Sequence, residues 1–476
     1  MADRVRPYLF YDVAVSICST CLRRVEGKIV FEDGRVHLLK DCPEHGHERV
    51  LMADDVEYYR LCREVYLKPP EQPNHYNTPV RWGCPYDCGL CPGHEQHSCL
   101  TLVEITDQCN LACPICYAAS GPHRPGFRSL EHVERMLDAV VRNEREPDVV
   151  QISGGEPTLH PEFFAVLDAA RRRPIRHLMV NTNGLRIARE PGFAERLAGY
   201  LPGFELYLQF DSLEAGPLKA LRGADLRSIR EQAIARLDAL NLSTTLVVTL
   251  KRGLNDGEIG RILEFAAAHR CVRGVTFQPI QAAGRLEGFD PARDRLTVSE
   301  VRRRILEQFP TFRPADVIPV PCHPDSLAMA YALRGPNGLV PLTGMIEPDV
   351  LIAGSRNTIV YEQDRHLRDH LFRLFATNHS PASAARSLRD LLCCLPRIAA
   401  PEGLGYDRIF RVIIMQFIDA FGFDLRSVKK TCVHIAHPDG RRLIPFDTYN
   451  LFYRDGLETR VLAPLRARAE RAAAVV

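Results

Sequence analysis

Three cysteines on one loop, Cys109-Asn-Leu-Ala-Cys113-Pro-Ile-Cys116, constrain this chain more than any other feature. The loop follows a strand-like run, Leu100 to Thr106, and precedes the turn Ser153-Gly154-Gly155-Glu156-Pro157. Thiolates at these spacings can hold three corners of a cubane iron-sulfur cluster, because ligation of such clusters draws on short cysteine loops. The fourth iron then has no local cysteine. That corner can take a small molecule, as a catalytic metal site keeps an open position that a structural site fills. A zinc knuckle would more usually repeat Cys-x2-Cys, and a ferredoxin would place a fourth cysteine nearby. Neither requires the Gly-Gly-Glu-Pro turn.

With 476 residues the chain has room for two or three domains and a large core. A formal charge of +2 argues against nucleic acid as a partner, since phosphate binding leaves a basic excess or stripe. The short runs Arg171-Arg172-Arg173 and Arg302-Arg303-Arg304 read as solvated helix faces. The start, Met1-Ala-Asp-Arg-Val-Arg6, lacks the apolar core of a signal peptide. No apolar run reaches the roughly eighteen residues of a membrane span. The densest stretch, Ile409 to Phe423, is broken by Arg411, Gln416 and Asp419. These features predict a cytoplasmic protein without a transmembrane segment. The cytosol keeps thiols reduced, so its 16 cysteines point to metal rather than disulfides.

The first 53 residues read as a metal-binding ribbon of zinc-ribbon or rubredoxin type. Cys18-x2-Cys21 and Cys42-x2-His45 flank a hairpin whose turn is Asp33-Gly34. Two ligand pairs around a hairpin build a tetrahedral site, so Cys18, Cys21, Cys42 and His45 are candidate ligands for zinc or a single iron. Residues 54–99 form a linker: a short helix from Asp54 to Lys68, the proline-rich Pro69 to Pro73, and a second Cys-x3-Cys-x2-Cys loop at Cys84, Cys88 and Cys91. A fourth cysteine, Cys99, follows this loop. The set Cys84, Cys88, Cys91 and Cys99 would fill all four corners of an auxiliary cluster for electron transfer or structure.

From residue 100 to 284 strands and helices alternate. The strand-like runs are Leu100 to Thr106, Val149 to Ser153, His177 to Asn181, Glu205 to Asp211, Thr244 to Leu250 and Gly274 to Ile280, with helical patterns at Leu130 to Asn143 and Glu162 to Arg172. Six such units imply an α/β fold, a parallel sheet curled into a partial (β/α)6 TIM barrel, with its ligands at the carboxyl ends of the strands. Gly154, Gly155, Glu156, Asn181, Asn183, Gln209, Asp211, Thr249 and Gln278 fall at those ends. Residues 285–476 read as an α-rich C-terminal region. It carries Cys322, the pair Cys393-Cys394 and Cys432, four candidate ligands of a second auxiliary cluster, while Cys62 and Cys271 read as core.

The Cys109 loop and the Gly-Gly-Glu-Pro turn together resemble the radical S-adenosylmethionine (radical SAM) superfamily. Cys42-Pro-Glu-His-Gly, Gly83-Cys-Pro-Tyr-Asp-Cys-Gly-Leu-Cys91 and the passage Pro438 to Arg454 are similar to one branch of it. That branch contains tetraether lipid synthases and proteins described as dihydropterin methyltransferases. The resemblance implies a 4Fe-4S cluster on Cys109, Cys113 and Cys116 with SAM on the fourth iron. It also implies SAM contacts at Gly154 and Gly155 beside Glu156, with Asn183, Gln209 and Asp211 as further candidates. The position before the third cysteine, often aromatic in the superfamily, is Ile115 here, with Tyr117 close by. The cofactors thus expected are that cluster, SAM, one or two auxiliary 4Fe-4S clusters and the N-terminal zinc or iron. An electron donor such as flavodoxin or ferredoxin is implied as well.

The leading functional expectation is formation of a C–C bond at an unactivated carbon, coupling or alkylating lipid chains, with peripheral membrane contact. Apolar C-terminal helices, at Ile409 to Phe423 and Leu451 to Phe452, favour a lipid slightly. The alternative within the class is methylation of a dihydropterin in a compact polar pocket. An iron-sulfur electron carrier or zinc scaffold is the alternative outside it, and Gly154-Gly155-Glu156 speaks against that.

Overall fold

The computed structural model describes residues 7–473 except 125, 336–337, 355–356, 360, 362–363, 365 and 368–407. Cys393 and Cys394 lie outside the described residues. Four strands, β1 (Leu9–Ile17), β2 (Arg24–Glu32), β3 (Arg35–Cys42) and β4 (Gly46–Ala53), form an antiparallel meander. Asp33 and Gly34 both take positive φ, as the tight β2–β3 turn requires. Lys40, fully buried, donates from Nζ to the carbonyls of Ile17, Ala420 and Phe421, tying the ribbon to the body of the molecule.

The body is built on one twelve-stranded sheet. Its centre is β5 (Leu100–Thr106), β7 (Val149–Gly154), β8 (His177–Thr182), β9 (Phe204–Gln209), β10 (Thr244–Leu250) and β11 (Val272–Pro279), each parallel to its neighbour. These are the six expected strands. All seven residues of β5 are buried, which is why the strand reads as a continuous run instead of alternating. Between β5 and β7 runs the helix Leu130–Glu144. Ser129 Oγ caps it by accepting the His132 amide at 3.3 Å, and Val133, Met136, Leu137 and Val140 turn one face inward.

The C-terminal region departs from the α-rich expectation. Besides helices such as Val298–Gln308 and Ala463–Ala473, it supplies β12 (Arg285–Leu286), β13 (Ile318–Pro319), β14 (Leu327–Gly335), β15 (Gly338–Pro341), β16 (Ile409–Met415), β17 (Val433–Ala436) and β18 (Leu443–Pro445). The helix expected from Ile409 to Phe423 is strand β16, parallel to β11 and buried on both faces. β17 joins β5 in parallel on the other side, so eight parallel strands stand side by side. β13, β14, β15 and β18 extend the sheet antiparallel at its edges. No pairing closes it into a barrel among the described residues. No described helix is long and apolar enough to cross a membrane.

Candidate active site and metal centres

The Cys109 loop rises from the carboxyl end of β5. Its short strand β6 (Ile115–Cys116) pairs with β12, and Arg285 clamps it by donating to the carbonyls of Cys113 (2.6 Å) and Ser120 (2.8 Å). Beneath it lies the Gly-Gly turn, whose Gly155 amide donates to Thr106 O at 2.8 Å and whose Glu156 amide donates to Gln108 O at 2.9 Å. A Cβ on Gly154 would stand 2.2 Å from Thr106 O, and one on Gly155 2.1 Å from Gln108 O. The two glycines therefore let the turn pack under the cysteine loop, besides facing the cavity.

Cys109, Cys113 and Cys116 line a cavity at the carboxyl ends of the strands. Gly154, Gly155, Asn181, Asn183, Gln209, Thr249 and Gln278 line it too. Glu156 and Asp211, expected among the cofactor contacts, stand behind the lining. Glu156 is buried and accepts from Thr158 N and Oγ1 (3.1 and 2.6 Å), Thr182 Oγ1 (2.8 Å) and Asn183 N (2.7 Å), joining the Gly-Gly turn to the end of β8. Burial raises its pKa against those four donors. Asp211 is buried against Arg222, whose Nε lies 2.7 Å from Oδ2, and accepts the Thr249 amide at 3.1 Å. Both carboxylates hold the walls in place.

Sequence reasoning missed Arg222 and Arg230, the two cations of the lining. Arg222 also donates to Gln209 Oε1 (2.9 Å) and Thr249 Oγ1 (2.8 Å), and its charge reaches the Cys113 sulfur. Arg230 donates to the Asn183 carbonyl, while its Nε and second amino group have no hydrogen-bond partner among the described residues. Both lie on helical segments far from any motif, so no local signal marks them. Phe417 and Phe446, stacked with centroids 3.8 Å apart, form another wall.

The lining offers three thiols and, among the described residues, no histidine, carboxylate or fourth cysteine. That donor set fits a cubane with one open corner. Burial pushes the Cys109 thiol up to about 12, so ionisation there calls for a metal. Arg230, with Asp211 4.0 Å from one amino group and the Asn183 carbonyl on the other, adds positive charge to the cavity wall.

The remaining cysteines fall into three sets. Cys18, Cys21, Cys42 and His45 gather, with Cys18 Sγ and Cys42 Sγ at 3.6 and 3.5 Å from His45 Nδ1 and Cys21 Sγ at 3.9 Å from Cys42 Sγ. One tetrahedral ion at zinc–ligand bond lengths sets edges of about 3.5–3.8 Å, and the three separations lie within 0.1 Å of that range. Cys84, Cys88 and Cys91 line a second cavity. Cys99 does not join them there. It is buried with its sulfur within 4.8 Å of those of Cys322 and Cys432, which are themselves 3.9 Å apart. The Cys432 and Cys99 thiols, hydrogen-bonded to Cys322, hold its pKa well below the ordinary thiol value. The strand pairing of β17 with β5 explains the regrouping, since it sets Cys432, just before β17, beside Cys99, just before β5. Cys62 and Cys271 are buried in the core, as expected.

Residues 103–266 match the family model of the radical SAM superfamily, and residues 10–54 that of the HMPTM N-terminal zinc ribbon domain. The chain is 29% identical to the 7,8-dihydro-6-hydroxymethylpterin dimethyltransferase of Methanocaldococcus jannaschii, over 95% of its own length and 96% of the relative's. It is 32% identical to the GTP 3',8-cyclase of Pectobacterium atrosepticum, over 47% of the chain and 68% of that protein. Among solved structures, Streptococcus suis SuiB bound to S-adenosylmethionine aligns at 17% identity over 44% of this chain and 46% of that one, with a TM-score of 0.36, a likeness too weak to argue from.

Proposed function

The chain belongs to the radical SAM superfamily, and on that premise we propose that it is a radical SAM methyltransferase acting on a dihydropterin. The likeness that carries this reading is the alignment with the Methanocaldococcus jannaschii protein, which spans nearly all of both chains and includes the ribbon. The cavity supports it. Asn181 and Gln278 place amide groups beside the stacked Phe417 and Phe446, a lining suited to a flat, hydrogen-bonding heterocycle. The lipid-coupling reading loses one support, because the apolar residues from Ile409 to Met415 are a sheet strand and pack as core.

Cys109, Cys113 and Cys116 would hold the 4Fe-4S cluster, which together with SAM would supply radical chemistry at an unactivated carbon. The protein's part is positioning and exclusion. Asp211 fixes Arg222 against Gln209 and Thr249, and Asn183 anchors Arg230, so the two guanidinium groups stand ready for the carboxylate of SAM. Glu156 and Arg285 hold the turn and the loop in register. Phe417, Phe446, Ile115 and Ile280 keep the reacting face apolar and limit water. We further assign an auxiliary 4Fe-4S cluster to the Cys84 loop, a metal centre to Cys99, Cys322 and Cys432, and a low-potential donor such as flavodoxin or ferredoxin as electron source.

Anaerobically reconstituted protein should be incubated with SAM, a strong reductant and 6-hydroxymethyl-7,8-dihydropterin, and in parallel with a total lipid extract. The expected result is 5'-deoxyadenosine, abolished by Cys113→Ala, with the pterin gaining one-carbon units. Coupled lipids with an unchanged pterin would overturn the pterin reading, and absence of 5'-deoxyadenosine under every condition would overturn the enzyme class.

A further inference from the structure

We propose that His94 is the fourth ligand of the cluster on Cys84, Cys88 and Cys91, making a three-cysteine, one-histidine centre separate from Cys99. The inference rests on the reading above that the Cys84 loop binds an iron-sulfur cluster. In sequence the loop runs Cys84-x3-Cys88-x2-Cys91-x2-His94, ending on the same Cys-x2-His step as Cys42-x2-His45 in the ribbon. In space the four residues line one cavity, and the His94 amide donates to Cys91 O at 2.9 Å, closing a tight turn at the end of the loop.

The ring's hydrogen bonds fix which nitrogen is available. His94 Nε2 lies 3.0 Å from the Thr431 carbonyl, which can only accept, so the neutral ring carries its proton on Nε2 and its lone pair on Nδ1. His434 Nε2, 3.1 Å away, shares that same edge of the ring. Nδ1 has no hydrogen-bond partner among the described residues. A ligating imidazole characteristically donates its other N–H to a carbonyl or carboxylate, which sets both tautomer and orientation. His94 already has that arrangement.

The alternatives are committed elsewhere. Cys99 lies buried with Cys322 and Cys432. Asp87 shares the cavity, but its Oδ2 accepts the amides of Arg81 (2.7 Å), Trp82 (2.5 Å) and Gly83 (2.9 Å). Arg24 and Lys429 bring positive charge to the same wall, as a centre of three thiolates would need.

The test uses the full chain with Cys109, Cys113 and Cys116 replaced by Ala, so that signals from the active-site cluster do not intrude. Protein carrying ¹⁵N-labelled histidine is reconstituted and reduced, and its iron is counted and its nitrogen hyperfine couplings read by pulsed EPR. The expected result is a histidine nitrogen coupled to the cluster, lost in His94→Cys while the iron count stays unchanged. Retention of that coupling in His94→Cys, or its absence in the parent, would overturn the proposal. So would a Cys99→Ser variant that loses the same iron as Cys84→Ser. Unchanged iron in Cys84→Ser would instead show that the loop holds no cluster and would sink the reading beneath it.

Discussion

A methyl group added at Gly155 meets the Gln108 carbonyl at 2.1 Å, and that carbonyl belongs to the residue just before Cys109. Backbone cannot yield as a flexible side-chain end does, so Gly155→Ala is expected to push the cysteine loop out of register. The measurements are iron content and thermal stability: we expect loss of the Cys109 cluster and destabilisation of about 1–3 kcal/mol, the range for overpacking. From sequence the pair read as room for a ligand, and the backbone clearance became visible only when two loops met. Asp447 shows a second residue-scale effect. Its oxygens meet Ile418 N at 2.6 Å and Thr431 Oγ1 at 2.7 Å in the interior, and burial pushes its pKa up to about 7. An unfolded carboxyl titrates near about 4. Between those values the folded state holds a proton that the unfolded chain has lost, so stability falls as pH rises from about 4 to 7. Asp447→Asn should remove this slope, up to about 1.4 kcal/mol per pH unit, in paired denaturant titrations of parent and variant.

At the scale of elements, the buried pair between Arg454 and Glu104 links the C-terminal passage to β5. Its N···O distances are 2.7 and 3.0 Å, and Asn450 extends the network to Gln281 at 3.1 Å. Arg454→Met strands the Glu104 carboxylate in the core and should cost about 3–5 kcal/mol in denaturant unfolding. Adding Glu104→Gln should recover much of that loss, as removing both charges leaves no unpaired ion. The passage from Pro438 to Arg454 was visible in the sequence only as part of a resemblance, and this network is the physical use of its last residue. The six central strands were legible almost to their ends, because a strand buried on both faces is a short apolar run between turn signals. The same property misled at β16, whose continuous run does not distinguish a buried strand from a helix. Its partners β11 and β14 decide the matter.

On the scale of the whole molecule, the ribbon meets the body through Lys40, whose three carbonyl acceptors include Ala420 and Phe421. Cys42→Ser is expected to remove one metal ion per chain by elemental analysis while the iron bound by the Cys109 loop remains. Limited proteolysis should then cut the ribbon first, since the metal closes its two ligand turns. Loss of the active-site iron in that variant would contradict the independence of the two centres. By itself, the sequence determined what local spacing can encode: the three-cysteine loop, the ligand pairs around a hairpin, and the buried strands. Each is set by residues close together in the chain. Only the tertiary structure decided what depends on parallel pairing across long separations. β17 beside β5 carried Cys432 to Cys99, and residues far from any motif, Arg222, Arg230 and Phe417, came to wall the cavity. A thiol at one position can serve any centre within reach, and the sheet register sets which one it reaches.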